Sequence, residues 1–229
     1  NLSGGVELPN DEIFVDLKFD SPTSSFKDIL SLIPAIYKNN FADLKASGNA
    51  KLNGFVKGSM GENTIPTFNL KLNIGNANFS YPDLPVPVNN VNIDLFIENN
   101  DGKINSTIVD LRKIHFELGK DLFDAKLKLT NIKESPFVDA TLKGTINFDN
   151  LKKAIQLENV TTLSGIVNAD LSFKGNLQTE KQNYDNLNAN GKLNLQNFRY
   201  KSGDLKEEIN ITNSELNFTP KKVELNSFN

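Results

Sequence analysis

The sequence of 229 residues contains no cysteine and a single histidine. The absence of cysteine excludes disulfide bonds and thiolate sites, although it says little about the cellular compartment. A metal site would need several histidines, cysteines or clustered carboxylates, and none converge in the sequence. His115 lies on the polar side of an alternating strand, where a solvated surface side chain is the favoured interpretation. We therefore expect no metal site and no cofactor.

Motifs of enzymes, nucleic-acid binders and membrane spans are also missing. The chain has no glycine-rich phosphate loop and no Gly-x-Ser-x-Gly elbow, so we expect a protein that is not an enzyme. The net charge is −3, so the chain lacks the excess of basic residues that is typical of a nucleic-acid-binding protein. No apolar run approaches the length of a membrane helix, and no signal peptide opens the chain. We expect a fragment of a longer repeat protein, with any membrane anchor outside it.

One motif occurs twice in the chain, at residues 46–58 and 163–175. Each copy reads Ser-Gly, eight residues, then Lys-Gly. Within both copies apolar and polar residues alternate, which is typical of a strand covered on one side only. An aromatic-x-Tyr pair follows each copy, at Phe79–Tyr81 and Phe198–Tyr200. The recurrence indicates duplication of a block of several strands.

Similar alternation recurs about every ten residues along the chain. The further alternating runs are 13–19, 68–74, 91–97, 104–109, 114–118, 123–129, 138–148, 187–195, 209–211 and 216–218. Turns rich in asparagine, glycine and aspartate separate them, which favours an antiparallel all-β architecture. We expect one continuous β-rich unit over residues 1–229, built of two related blocks at about 1–116 and 117–229.

Two segments have helical periodicity instead. Apolar residues spaced at i, i+3, i+4 and i+7 predict a helix in roughly residues 24–37, with Ser25 as its N-cap and Asp28 three residues later. We expect this helix to lie on the sheet, because its polar face lacks the basic stripe of a membrane-surface helix. A shorter second helix is indicated by Asn150, Leu151, Ala154 and Ile155.

Four glycines share the apolar side of their strands: Gly48, Gly144, Gly165 and Gly191. Glycine weakens a strand, so its recurrence at one pattern position indicates tight bending or the close approach of another backbone. The sequence therefore predicts a mainly β fold. We expect an elongated, strongly curved antiparallel sheet folded over its apolar face, as a groove or a sandwich, with one or two short helices.

The sequence resembles the AsmA family of Gram-negative envelope proteins, which is related to TamB and to bridge-like lipid-transfer proteins. The resemblance begins at residue 41 with FADLKASGNAKLNGFVKG, followed by IPTFNLKLNIGNANFSYPDLPVPVNNVNIDLFIEN. It continues with IHFELGKDLFDAKLKLTNIKESPFVDATLKGTINFDNLKKA at 114–154 and with the second motif through NFTPKK at 217–222. It implies a periplasmic β-sheet folded into an apolar groove, in a protein anchored in the inner membrane outside this fragment. It implies no catalytic residues.

Two functions of different classes follow from these observations. The leading hypothesis is a non-enzymatic module for outer-membrane assembly or phospholipid transport, in which acyl chains lie in an apolar groove. The predicted lining residues are Leu70, Leu72, Ile93, Leu95, Leu127, Leu171 and Phe173. Expected partners are lipid acyl chains, other repeats of the same longer chain and envelope assembly proteins, but not nucleic acid. The alternative is a structural or adhesive extracellular β-repeat domain with a closed core. A groove wall and a sandwich core have the same alternation of apolar and polar residues, so the sequence pattern fits both.

Overall fold

The described part of the chain forms one antiparallel sheet of twelve strands, in which the order along the sheet equals the order along the chain. This computed structural model describes residues 1–8, 13–30, 45–61, 64–80, 86–150, 159–177, 187–220 and 222–228. The strands are β1 (Leu2–Glu7), β2 (Ile13–Ser25), β3 (Lys45–Met60), β4 (Thr67–Ser80), β5 (Val88–Asn99), β6 (Ile108–Leu118), β7 (Asp121–Thr130), β8 (Phe137–Asn147), β9 (Val160–Asn176), β10 (Leu187–Ser202), β11 (Ile209–Thr219) and β12 (Lys222–Phe228). β1 and β12 form the two edges of the sheet. The predicted mainly β, curved antiparallel architecture is confirmed.

The first helical segment begins directly after its predicted N-cap, Ser25, and the second begins at Phe148, before its predicted start at Asn150. Helix α1 (Phe26–Leu30) packs against β2 and β3. Its N-terminus is a capping box, in which the Asp28 N–H donates to Ser25 Oγ over 3.1 Å and the Ser25 N–H donates to Asp28 Oδ2 over 3.2 Å. Residues 148–150 are helical at the start of the second predicted helix. The remainder of both predicted helices lies outside the described residues. A 3-10 helix at Ile104–Ser106 follows β5.

Strand β6 differs from the alternating runs that predict it. The sequence pattern gives two separate runs, 104–109 and 114–118, whereas the structure has one strand preceded by the 3-10 helix. The register with β7 shifts between Leu111 and Ile114. This β-bulge puts two consecutive polar residues into the strand and interrupts the alternation without ending the pairing.

Cross-strand register sorts the side chains into rows on two faces. One apolar row consists of Leu52, Leu72, Leu95, Leu111, Leu127, Ala140, Phe173 and Ala189. The opposite face carries ion pairs between neighbouring strands, namely Lys57–Asp16 (2.7 Å), Lys174–Asp139 (2.7 Å) and Lys143–Asp170 (3.1 Å). A slip of one residue would exchange the two faces, so burial and charge pairing favour the same register.

The four glycines that predict curvature lie where the backbones come closest. All four have positive φ, at 114° for Gly48, 150° for Gly144, 97° for Gly165 and 119° for Gly191. A Cβ atom added to any of them would lie only 1.9–2.4 Å from the backbone of an adjacent strand. A side chain at any of these positions would collide with the backbone of the neighbouring strand, so the predicted close approach of another backbone is confirmed.

Both copies of the Ser-Gly motif sit opposite a β-bulge. Gly48 faces the bulge at Asn76 (φ 50°), and Gly165 faces the bulge at Asn197 (φ 48°). The shared bulge supports the two-block interpretation, which stays a prediction; its boundary at 116/117 falls within β6. The register also corrects the equivalence of the aromatic pairs. Phe79 lies opposite Ala46 and Tyr200 opposite Leu163, so Phe79 corresponds to Tyr200 and not to Phe198.

The buried core lies towards one long side of the sheet, where β2 ends and β3 begins. The buried cluster there consists of Phe26, Ala50, Ile74, Ala77, Val88, Val91 and Leu118. Apart from Phe26 on α1, its members belong to β3, β4, β5 and β6. We call this cluster the closed part of the apolar face.

Candidate functional site

All seven predicted lining residues lie on the apolar face. Register places Leu72, Leu95, Leu127 and Phe173 in one row. The other three lie two positions from a row member along their own strands, and therefore point to the same face; they are Leu70, Ile93 and Leu171. The full row crosses β3 to β10, and at about 4.8 Å between neighbouring strands it is about 34 Å long.

The apolar face is only partly covered. Of the seven predicted lining residues, Leu171 is buried, with 7% of its surface exposed, and the other six are half-buried. Half-burial of six of these seven apolar side chains is typical of a sheet whose apolar side is not sealed by a second layer.

Packing divides the face into two regions. Leu72 and Ile93 pack against the closed part, at its margin. Leu70, Leu95 and Leu127 are half-buried and do not belong to that cluster. We call the half-buried rows outside the cluster, from β3 to β10, the open part. The apolar face thus has one buried region and one half-buried region.

Aromatic rings meet across β10 at the far end of the open part. Gly191 pairs with Leu171 on β9 and with Phe218 on β11. Because Gly191 has no side chain, the rings of Phe173 and Phe218 approach each other over it, with centroids 6.2 Å apart in an edge-to-face arrangement. This ring pair extends the apolar surface from the open part onto β11.

The polar face carries a shallow depression of about 600 Å³ that crosses β6 to β10. Its lining includes Lys126 together with two carboxylates, Asp124 and Asp170. Asp124 is 2.9 Å from a ring nitrogen of His115, and Asp170 is 3.1 Å from Lys143 Nζ. Exposed pairs of this kind contribute little to stability and are typical of a solvated outer surface. The apolar face is therefore the stronger candidate site.

His115 lies on the polar face, as predicted, and its side chain is partly covered, with 17% of its surface exposed. Asn90, which has positive φ (53°), donates from Nδ2 to His115 Nε2 over 3.2 Å. His115 Nδ1 then donates to Asp124 Oδ1 over 2.9 Å. The bulge at Asn90 covers the ring in a way that strand alternation does not reveal.

The described residues include no group of three or more histidine, cysteine or acidic side chains placed to hold a metal ion. None of the helices in the described ranges has both the length and the hydropathy needed to cross a membrane.

Comparison with known proteins gives no match to a family model, to a curated protein or to a solved structure. The resemblance to the AsmA family stays a prediction carried by the sequence segments alone.

Several residues of the open part are not among the predicted lining residues. Leu52, Leu111 and Ala140 belong to the same row as Leu95. Leu111 was hidden by the bulge that follows it, since it falls between two alternating runs. Alternation within one strand predicts which face a residue lies on. The residues that share its row follow only from the register between strands.

Proposed function

We propose that this chain is a non-enzymatic module that binds lipid acyl chains along the open part of its apolar face, in phospholipid transport or outer-membrane assembly. The observation that carries the proposal is the row of half-buried apolar side chains that crosses β3 to β10. The row is about 34 Å long. The hydrocarbon core of a bilayer is about 30 Å thick and contains two layers of chains. The row is therefore long enough for a complete acyl chain.

The energetics favour acyl chains as the ligand. Each CH₂ group removed from water contributes about 0.8 kcal/mol, so contact with a few CH₂ groups along the row gives measurable affinity. The closed-core alternative, a structural or adhesive β-repeat, requires Leu95 and Leu127 to be sealed from solvent. Both are half-buried, which favours the lipid-binding hypothesis.

The proposal includes a periplasmic location, in a longer protein anchored in the inner membrane. This part rests on the resemblance to the AsmA family. The proposed partners are other repeats of the same longer chain and envelope assembly proteins. Edge strands support the first of these partners, because Leu2 on β1 is 74% exposed and Phe228 on β12 is 60% exposed. A further paired strand on either edge would cover this apolar surface.

The variant Leu95→Asp tests the proposal. Water reaches this half-buried position, so the new carboxylate is solvated once lipid is absent. We expect the delipidated variant to stay folded with a modest loss of melting temperature, and to lose bound phospholipid. Native mass spectrometry of protein incubated with phospholipid vesicles measures the bound lipid, and circular dichroism measures the melting temperature.

Two further variants serve as controls for Leu95→Asp. Asp94→Asn changes the polar face one position away, and we expect it to keep both lipid and stability. Ile74→Asp places a carboxylate in the closed part, where Ile74 is 6% exposed. Burial of an unpaired charge there costs several kcal/mol out of a typical total of about 5–15 kcal/mol, so that variant should unfold. Wild-type protein without bound lipid, together with a Leu95→Asp variant that unfolds like Ile74→Asp, would contradict the proposal.

A further inference from the structure

Phe26 is buried in the closed part from helix α1, outside the sheet, and Ile29 of the same helix packs against the cluster. Its side chain is 3% exposed, and its ring centroid lies 6.0 Å from that of Phe79 on β4. The capping box of Ser25 and Asp28 fixes the start of the helix that carries it. Phe26 therefore covers apolar sheet surface that would otherwise face the same side as the open part.

The sheet beneath Phe26 is built from small residues. Ala50 and Ala77 are completely buried, and Ala46 packs against the same cluster. Gly48 lies between them on β3, and a Cβ atom there would come within 2.4 Å of the Ala77 Cα atom. Small side chains leave a recess on the apolar face, and the aromatic ring of Phe26 packs over it. The recess is thus filled by a side chain of the same chain.

The same arrangement recurs at β8 and β9. Ser25 pairs with Asn49, the residue after Gly48, and Asn147 pairs with Ile166, the residue after Gly165. Phe26 and Phe148 directly follow Ser25 and Asn147, so they occupy equivalent places in the two arrangements.

The second phenylalanine covers its part of the sheet less completely. The rings of Phe148 and Phe198 are 5.9 Å apart, edge to face. Phe148 is half-buried, however, whereas Phe26 is buried. The two arrangements share one register, but the phenylalanine is buried only in the first.

We propose that Phe26 is an intramolecular occupant of the acyl-chain path, which fills the closed part and confines bound chains to the open part. This inference rests on the proposed lipid binding. Removing the ring would expose the alanine-lined recess next to Ile74 and Val91, where a hydrocarbon chain can replace the lost contacts. Phe26 would thereby determine where along the sheet a lipid is held.

Methyl NMR of deuterated, methyl-protonated protein with bound stearate locates the chain directly, because a nuclear Overhauser effect arises only between protons in near contact. In the wild-type protein we expect such effects from the stearate to the methyl groups of Leu95 and Leu127 and none to those of Ala50 and Ala77. In Phe26→Ala, the effects at Ala50 and Ala77 should be as strong as those at Leu127. Native mass spectrometry should show more bound stearate per chain than in the wild type.

Two further variants make the result decisive. Phe96→Ala removes a ring from the polar face, where it lies between Lys71 and Arg112, and should keep the wild-type pattern. Phe26→Leu keeps a smaller packed side chain, so it should show an intermediate effect at Ala50 even where the alanine variant does not fold.

The outcomes separate this inference from the proposed function. If the stearate gives no effect at any methyl group in the wild type, the proposed lipid binding fails. If Leu127 shows the effect but Ala50 and Ala77 show it equally in the wild type, or do not show it in either Phe26 variant, lipid binding stands and the assignment of Phe26 is overturned.

Discussion

Asn99 is a completely buried polar residue at the end of β5, and its side chain organises the following loop. Its Nδ2 group donates to the Lys103 carbonyl over 2.6 Å and to Thr107 Oγ1 over 2.9 Å. Its Oδ1 atom accepts from the Gly102 N–H over 2.7 Å. Every polar atom of the amide group thus has a partner, as burial requires.

The same loop holds Asp101 in its charged form. The Lys103 N–H and the Ser106 hydroxyl both donate to its carboxylate, over 3.0 Å and 2.9 Å. These hydrogen bonds, that of the Lys103 backbone first, hold the pKa of Asp101 below its ordinary value. The side chains of Asn99 and Asp101 therefore both supply hydrogen-bond partners to backbone groups of the loop.

Replacing Asn99 by alanine leaves the buried Gly102 N–H without its partner and removes one of the two donors to the Lys103 carbonyl, which keeps the Ser106 N–H. An orphaned buried group costs about 1–3 kcal/mol, so we expect Asn99→Ala to lower the free energy of unfolding by roughly 2–3 kcal/mol. Urea unfolding followed by circular dichroism measures this loss. The neighbouring Asn100→Ala is the matched control. Asn100 is exposed, and the side-chain hydrogen bond described for it is with the Glu98 side chain. Equal unfolding midpoints for the two variants would show that the amide network is dispensable.

At the scale of the strand, the glycines of the apolar face allow the sheet to bend. Gly191 has φ 119°, and a Cβ atom there would lie 1.9 Å from the Asp170 carbonyl oxygen on β9. Gly191→Ala should therefore combine backbone strain, about 1–3 kcal/mol, with a steric clash. We expect a loss of stability above roughly 2 kcal/mol, measured as a lowered denaturation midpoint.

Gly75 on β4 provides the comparison, because nothing lies within 4 Å of a Cβ atom added there. Gly75→Ala should be neutral or stabilising, by up to about 1 kcal/mol, through the reduced entropy of the unfolded chain. If Gly191→Ala is tolerated as well as Gly75→Ala, the close backbone approach does not explain the glycine.

Alternation within a strand predicts its faces well and its partners poorly. The shared face of Leu70, Leu95 and Phe173 follows from period two alone, and the structure places them together. Phe148 was predicted as the end of a strand, whereas β8 ends at Asn147 and Phe148 begins a helical turn. Its equivalence to Phe26 depends on register, which is set by bulges and connections that a single strand's pattern does not encode.

At the scale of the whole molecule, the apolar face continues to both edges of the sheet. Val6 on β1 pairs with Val15, and Leu225 on β12 pairs with Leu216, so both belong to the apolar face. Their exposures are 59% and 55%. Each edge also presents unpaired backbone N–H and C=O groups, which makes an exposed apolar edge prone to pairing with another strand.

The geometry of the two edges favours pairing between copies. Neighbouring strands are antiparallel throughout, and their number is even, so β1 and β12 run in opposite directions. The β12 edge of one molecule can therefore join the β1 edge of the next as another antiparallel pair, with the apolar faces on the same side. Because this contact is head-to-tail and does not close on itself, it would build open chains of molecules.

We therefore expect the isolated chain of 229 residues to self-associate as its concentration rises, and Leu225→Lys to suppress that association. A lysine on an edge strand opposes pairing, because its charge would have to be desolvated against the incoming strand. Natural proteins commonly protect sheet edges in this way. Sedimentation velocity over a range of concentrations measures the effect. Asn190→Lys is the matched control, because it adds the same charge on the exposed polar face of β10, two strands from the edge. Equal suppression by both variants would assign the association to net charge, and a wild-type chain that stays monomeric would show that the apolar edges are insufficient to pair.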